Sequence, residues 1–189
     1  MAMQPQADVF TSIAAEHPLH QRGAMQRCER GQSWVWDSVR FDVLHPSAAD
    51  YERKLKPNAL SCVLRVSSSK TTASVSALLV GDIEAAQEHD LIQSGQALQA
   101  DWLLVPHHGS ATSSTQAFLE AVQPRIAVVQ AGYRNRFGHP RADVLQRYAD
   151  LGVQVVQTPR CGASVWRSKQ PNLVQCERNQ RQRYWQYVF

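Results

Sequence analysis

The sequence predicts an α/β fold in which parallel strands alternate with helices, because three consecutive segments each read as an apolar strand followed by a polar loop. Residues 76–80 precede Gly81-Asp82, residues 102–106 precede His107-His108-Gly109-Ser110, and residues 126–131 precede the loop 132–139. In such sheets ligands bind beyond the carboxyl ends of the strands, where helix N-termini and loop side chains converge. Asp82, His107, His108 and His139 are therefore candidates for one site.

In chain order, residues 1–32 are rich in Ala, Gln and His and form a poorly defined start, with a short strand expected over 8–12. From Ser33 the pattern sharpens. Trp34-Val35-Trp36, an Asp37-Ser38 turn and residues 39–44 alternate apolar and polar positions as a hairpin does, and His45-Pro46 ends it. A polar loop over 47–57 leads to a strand over 60–66, a Ser/Thr-rich turn over 67–74 and a strand over 75–80. Residues 84–96, rich in Ala, Glu, Gln and Leu, predict a helix ending near Gly95, and 98–106 a strand that completes a right-handed βαβ unit. A helix over 113–122 is expected to start with a capping box from Ser113 to Gln116 and to stop at Pro124. Next come a strand over 125–131, a helix over 141–151 with Val144, Leu145 and Tyr148 on one face, Gly152 as its C-cap and a strand over 153–156. A last strand over 162–167 leads towards a basic, aromatic tail at 172–189. No internal repeat or linker interrupts this order, so 1–189 reads as a single domain.

Composition agrees. The 189 residues, 43% hydrophobic and 19% charged, suit one ordinary globular domain. No apolar run approaches the roughly 18 residues of a spanning helix, and the first ten residues lack the basic and apolar regions of a signal peptide. As written, the chain reads as soluble and untargeted. Cys28, Cys62, Cys161 and Cys176 form no C-x-x-C pair, which predicts buried reduced thiols. The net charge of +4 is uneven, because the segment from Arg160 onward carries +5. With Trp166, Tyr184, Trp185 and Tyr187 interleaved, that end suits a polyanion such as nucleic acid. A solvated last strand with a frayed tail is the simpler reading of the same residues.

The chemistry-bearing residues have ordinary readings as well. Asp82 between strand and helix fits an N-cap, and it also fits a carboxylate that bridges two cations. His107-His108 at a strand end offers neutral nitrogens to a metal or protons to a phosphate. Gly109 permits close backbone approach, and Ser110, Thr112, Ser113 and Ser114 add hydroxyls and helix N-terminal amides suited to an anion. His139 stands before Pro140, which suits a first helical turn. In the preceding loop Arg134 and Arg136, with Asn135 between them, are placed to grip a phosphodiester. His45 reads as an ordinary strand-end histidine.

Gly81-Asp82-Ile83-Glu84, then Ala100-Asp101-Trp102-Leu103-Leu104-Val105-Pro106-His107-His108-Gly109-Ser110 with Ser113-Ser114, then Gly138-His139-Pro140, resemble the carboxy-terminal metallo-β-lactamase-fold domain of the ComEC family of DNA-uptake channel proteins. Residues 28–37, 41–46 and 58–66 are similar to that family too. The resemblance implies the C-terminal portion of a four-layer αβ/βα sandwich and a metal-dependent nuclease that degrades one DNA strand while the other crosses a membrane channel. It implies two divalent cations, Zn or Mn, single-stranded DNA and the membrane channel part of the parent protein as partners, and a parent associated with the inner (cytoplasmic) membrane. By position, Asp82, His107 and His139 would be metal ligands, His108 and Ser110 catalytic, and Ser113, Arg134, Asn135 and Arg136 substrate-binding. The motif leaves open which of His107 and His108 ligates.

Two departures temper this. The superfamily's His-x-His-x-Asp-His run is absent, so that the first residues look like an internal stretch of a parent domain; and Ala59 stands where a second Asn is usual. Such a chain is expected to bind metal weakly or not at all, to show little or no nuclease activity alone, and to self-associate through an exposed sheet edge. The alternatives are a non-catalytic nucleic-acid-binding fragment and a metallo-hydrolase of a small phosphodiester or ester.

Overall fold

Alternating apolar residues in the hairpin strands and continuous apolar runs in the central parallel strands build a seven-stranded mixed sheet, which organises residues 9–13, 17–22, 25–68 and 74–181, the parts of the chain that the computed structural model describes. The middle of the Ser/Thr-rich turn, 69–73, and the tail residues 182–189 lie outside them. Ahead of the sheet, β1 (Val9–Thr11) and β2 (Met25–Arg27) form a small parallel ribbon. The predicted hairpin is present as β3 (Ser33–Trp36) and β4 (Val39–His45). Asp37 and Ser38 both have positive φ, the geometry of a two-residue hairpin turn. Phe10, Trp34 and Phe41 stack in a row, tying the ribbon to the hairpin.

After the short helix α1 (Ala48–Tyr51) and a 3-10 turn at Pro57–Leu60, β5 (Val63–Ser68) pairs antiparallel with β4 and with β6 (Val75–Leu79). From β6 onward the sheet is parallel. Helix α2 (Ala85–Gln93) leads to β7 (Trp102–Leu104), α3 (Gln116–Val122) to β8 (Ile126–Val129), and α4 (Ala142–Asp150) to β9 (Gln154–Gln157). Strand β7 is shorter than the expected 98–106, because Pro106 has no amide to pair with a neighbour and opens a 3-10 turn.

Pairing places Leu78, Leu103 and Ala127 on one face, where they pack with Leu91, Phe118, Leu119, Val144 and Tyr148 of the three helices. Residues one step along point to the other face, as strand geometry requires. There Ile126, Val128 and Val156 meet α5 (Thr158–Cys161) and the antiparallel pair β10 (Ser164–Arg167) and β11 (Gln170–Cys176). Trp102 and Trp166 join that second cluster, and α6 (Glu177–Gln180) closes the described chain. This is the α/β class read from the sequence. Among the described residues the large sheet carries helices on one face and a hairpin on the other.

Two expectations change. The cysteines are not reduced thiols, because Cys28–Cys62 and Cys161–Cys176 are disulfides, with Cα atoms 6.1 Å and 4.6 Å apart. Tertiary pairing brings these positions together; in β10–β11, for example, Cys176 lies opposite Ser164. Strand β11 also enters the segment read as the start of a tail at 172. No helix among the described residues is long and apolar enough to cross a membrane.

Leu103 is completely buried in the central strand. Leu103→Ala is expected to cost about 3 kcal/mol through lost burial and the cavity left behind, read from urea denaturation midpoints. Val35→Ala, on the exposed edge strand at 64% exposure, should stay within about 0.5 kcal/mol of the parent.

Candidate functional site

Glycine at 81 is required by the turn that follows β6. Its φ is +57°, and a Cβ there would lie 2.9 Å from the Cβ of Ser61. The next amide, that of Asp82, donates to the Ser61 hydroxyl at 3.1 Å. This leaves the Asp82 carboxylate on the rim above the sheet, while Ile83 is buried beneath it. Glu84, the N-cap of α2, follows at once.

Beyond β7, His107 and His108 are both left-handed, with φ of 48° and 57°. The His107 amide donates to the Gly81 carbonyl at 3.0 Å, which ties this loop to the preceding one. Consecutive left-handed residues send the two imidazoles to different neighbours. His107 Nδ1 lies 3.4 Å from Glu84 Oε1, and its Nε2 lies 3.3 Å from the Asn58 amide nitrogen. His108 places Nε2 3.4 Å from Asp82 Oδ1 and Nδ1 2.7 Å from the Gln130 carbonyl. That carbonyl can only accept, so Nδ1 carries the proton.

His139 arrives from the loop after β8, with its ring centre 5.9 Å from that of His107 and stacked against Phe137. Burial pushes its pKa down, and His107 and His108 nearby push it in the same direction. Asn135 holds this loop closed, donating to the Gly132 and His139 carbonyls and accepting from the His139 amide. Helix α4 starts after an N-cap at Arg141, so Pro140 lies before the helix and not in its first turn. The Arg141 amide donates to the Gly109 carbonyl at 2.9 Å, and a Cβ on Gly109 would fall 2.6 Å from that of Pro140. Arg134 and Arg136 are exposed, each with its guanidinium over the preceding or following ring, Tyr133 and Phe137 respectively.

Asp82, His107, His108 and His139 are thus brought to one rim. The serines are not presented in the same way. Ser113 is fully buried, and its hydroxyl donates to the Pro106 and Ser110 carbonyls. It shapes the loop from inside. The N-cap of α3 is Thr115 and not Ser113, because the Thr115 hydroxyl accepts from the Phe118 amide. Ser110 is also buried and shares a hydrogen bond with the Thr112 hydroxyl.

Glu84 and Asn58, which flank His107, were not singled out from the sequence. Each sits inside a stretch similar to the ComEC family, which was the available signal. Equally unforeseen is Glu88, fully buried, whose carboxylate accepts from the Ser114 and Thr115 amides at 2.6 Å and 2.8 Å. Burial pushes its pKa up, against those bonds and the nearby Arg147. Arg147 donates to the Ser113 and Ser114 carbonyls and Tyr148 bonds the Ser114 hydroxyl, so the His-His-Gly-Ser loop is clamped from below.

Imidazole and carboxylate donors suit Zn or Mn; among the described residues the buried Nδ1 of His139 has no hydrogen-bond partner, and that of His107 faces Glu84 without an aligned hydrogen bond. Yet among the described residues no group of three or more His, Cys, Asp or Glu converges to hold a metal. A catalytic zinc needs about three protein ligands, so these residues do not make a complete metal centre.

The chain is 40% identical over 154 residues to "Competence protein ComA" of Neisseria gonorrhoeae, covering 80% of this chain and 21% of that protein. It is 36% identical to "Uncharacterized protein YcaI" of Escherichia coli K12, over 72% of this chain and 17% of the other. It is 33% identical to "ComE operon protein 3" of Bacillus subtilis strain 168, over 77% and 18%. The chain therefore spans about a fifth of the length of these curated relatives. Among solved structures it is similar to a metallo-β-lactamase superfamily protein from Thermotoga maritima described as a Zn-dependent hydrolase, with a TM-score of 0.38 and 14% identity over 76% of this chain and 72% of the other. That likeness is too loose to align individual residues. No protein-family model matches the chain.

Glu88→Gln leaves only one carbonyl oxygen for two amides and is expected to destabilise the fold by about 1–3 kcal/mol, measured by urea denaturation. His45, 1% exposed, holds the Ala59 carbonyl beside Asn58, and burial lowers its pKa below the ordinary 6.5. The unfolded chain then binds the extra proton, so stability is full above about pH 6.5 and falls as the pH drops below it. His45→Gln should flatten that slope between pH 7 and pH 5.5.

Proposed function

Because the chain belongs to the ComEC family of competence proteins, we propose that it supplies the phosphodiester-binding part of a metal-dependent hydrolase domain that acts on DNA during uptake. One observation carries this reading: Asp82, His107, His108 and His139, from three separate strand ends, share a rim with an arginine-bearing loop. That combination suits an anionic backbone.

Asp82, His107 and His139 would be this chain's ligands to a divalent cation of the Zn or Mn type. Since they do not close a centre among the described residues, this chain alone would hold such an ion weakly, and cleavage would need ligands from outside it. His108 has its tautomer set by the Gln130 carbonyl. When doubly protonated it presents Nε2–H beside Asp82, where it can donate to a phosphate or leaving oxygen. Arg134 and Arg136 draw the backbone to the rim by ion pairing. Single-stranded DNA is the proposed substrate, and the membrane channel of a parent protein the proposed partner. A second reading, DNA binding without cleavage, is favoured by the incomplete metal donor set.

A chimera in which this chain replaces the matching region of the Neisseria gonorrhoeae relative tests the proposal. Cleavage of a labelled single strand with Mn²⁺ is expected, falling at least about 100-fold in Asp82→Ala, the scale of losing one transition-state contact. Binding that persists in EDTA and weakens steeply with salt, without cleavage by the folded chimera, would leave the second reading. Hydrolysis of a small phosphodiester with DNA untouched would defeat both.

A further inference from the structure

The cleft beside the rim is lined by His108, Ala131, Gly132, Phe137, His139 and Thr158 and has a volume of about 500 Å³. That lies in the range of about 300–1,000 Å³ typical of small-ligand sites. Its polar atoms are largely used internally. Thr158 exchanges hydrogen bonds with the Ala131 backbone, the Gln130 carbonyl receives His108, and Asn135 is committed to its own loop. Apart from the imidazole nitrogens of His108 and His139, what the walls offer a visitor is therefore apolar and aromatic surface.

At the mouth stands Phe137, 62% exposed and stacked on His139. Arg136 covers its ring at 4.8 Å, and Arg134 sits over Tyr133 at 5.3 Å. A flat apolar recess bordered by guanidinium groups has the complementarity of a nucleotide, with a planar base for the recess and an anionic phosphate for the cations. Base–aromatic stacking suits unpaired strands of any sequence, whereas a paired base in a duplex keeps both faces stacked on its neighbours.

We propose that loop 132–139 and this cleft form a nucleobase-stacking subsite that seats one unpaired base on Phe137 while Arg134 and Arg136 engage the adjoining phosphate. An entering base takes the place of Arg136 on the ring, and the guanidinium moves to the phosphate. The inference rests on the DNA reading above and names the residues that would give that reading its preference for an unpaired strand.

Fluorescence anisotropy of the chain in EDTA at low salt, with a labelled oligo-dT, an abasic strand of equal length and a blunt duplex, provides the test. The oligo-dT is expected to bind about 10-fold tighter than the other two, the scale of one base–aromatic stack. Phe137→Ala should lose about that factor on oligo-dT and nothing on the abasic strand, and Phe137→Trp should retain it. If oligo-dT binds the parent but Phe137→Ala leaves its affinity unchanged, weakens the abasic strand equally, or the duplex binds as tightly, the subsite is wrong and the broader reading survives. If the parent binds none of the three, the DNA reading falls and the subsite with it.

Discussion

Four parallel strands held in step set the positions of everything else. Ala77, Trp102, Ile126 and Gln154 stand abreast across β6, β7, β8 and β9. Their strands end together, so the loops carrying Asp82, the histidine pair and His139 leave from one line. Slipping one strand by a single residue would exchange Leu103 with Trp102 between the helix-covered and hairpin-covered faces. The burial of those two different side chains fixes the register. Parallel pairing also demands crossovers, and α2, α3 and α4 supply them on the face that Leu78, Leu103 and Ala127 present.

Within that frame the loops impose a second level of order. Two adjacent non-glycine residues in the left-handed region cost about 1–3 kcal/mol each, and His107 and His108 hold it because their surroundings leave little choice. The His107 amide is taken by Gly81, the His108 ring by Gln130, and the following turn hangs from Glu88, Arg147 and Tyr148. A buried carboxyl group here serves geometry. Glu88 accepts the two backbone amides just ahead of α3, while the cap that local sequence pointed to at Ser113 is made by the Thr115 hydroxyl.

Elements built by local periodicity were legible in the sequence. The β3–β4 hairpin, α2, α4 and the three strands before the polar loops follow from alternation, helical spacing and turn residues. What escaped depends on partners remote in the chain. Nothing near Cys28 indicates Cys62, and nothing near Cys161 indicates Cys176 until β10 and β11 are paired. Strand β11 itself, with Pro171, Asn172 and Gln175, has too weak an apolar pattern to stand out from a polar tail. At the site, Asp82, His107, His108 and His139 announced themselves by residue type. Glu84 and Asn58 did not, because a carboxylate at a helix start and an amide after a proline have commonplace roles. Ser113 misled for the opposite reason: its hydroxyl satisfies carbonyls inside its own turn and never reaches the surface.

The contact between Gly109 and Pro140 leaves no room for even a methyl group, and the neighbouring amide-to-carbonyl bond from Arg141 runs across the same junction. The loops after β7 and β8 are thereby welded into one mechanical body. Neither loop can swing aside while the other stays put. Under the proposed reading, a strand reaching this rim would meet a seat already shaped, with selectivity set by fit at arrival and not by a flap that folds over afterwards.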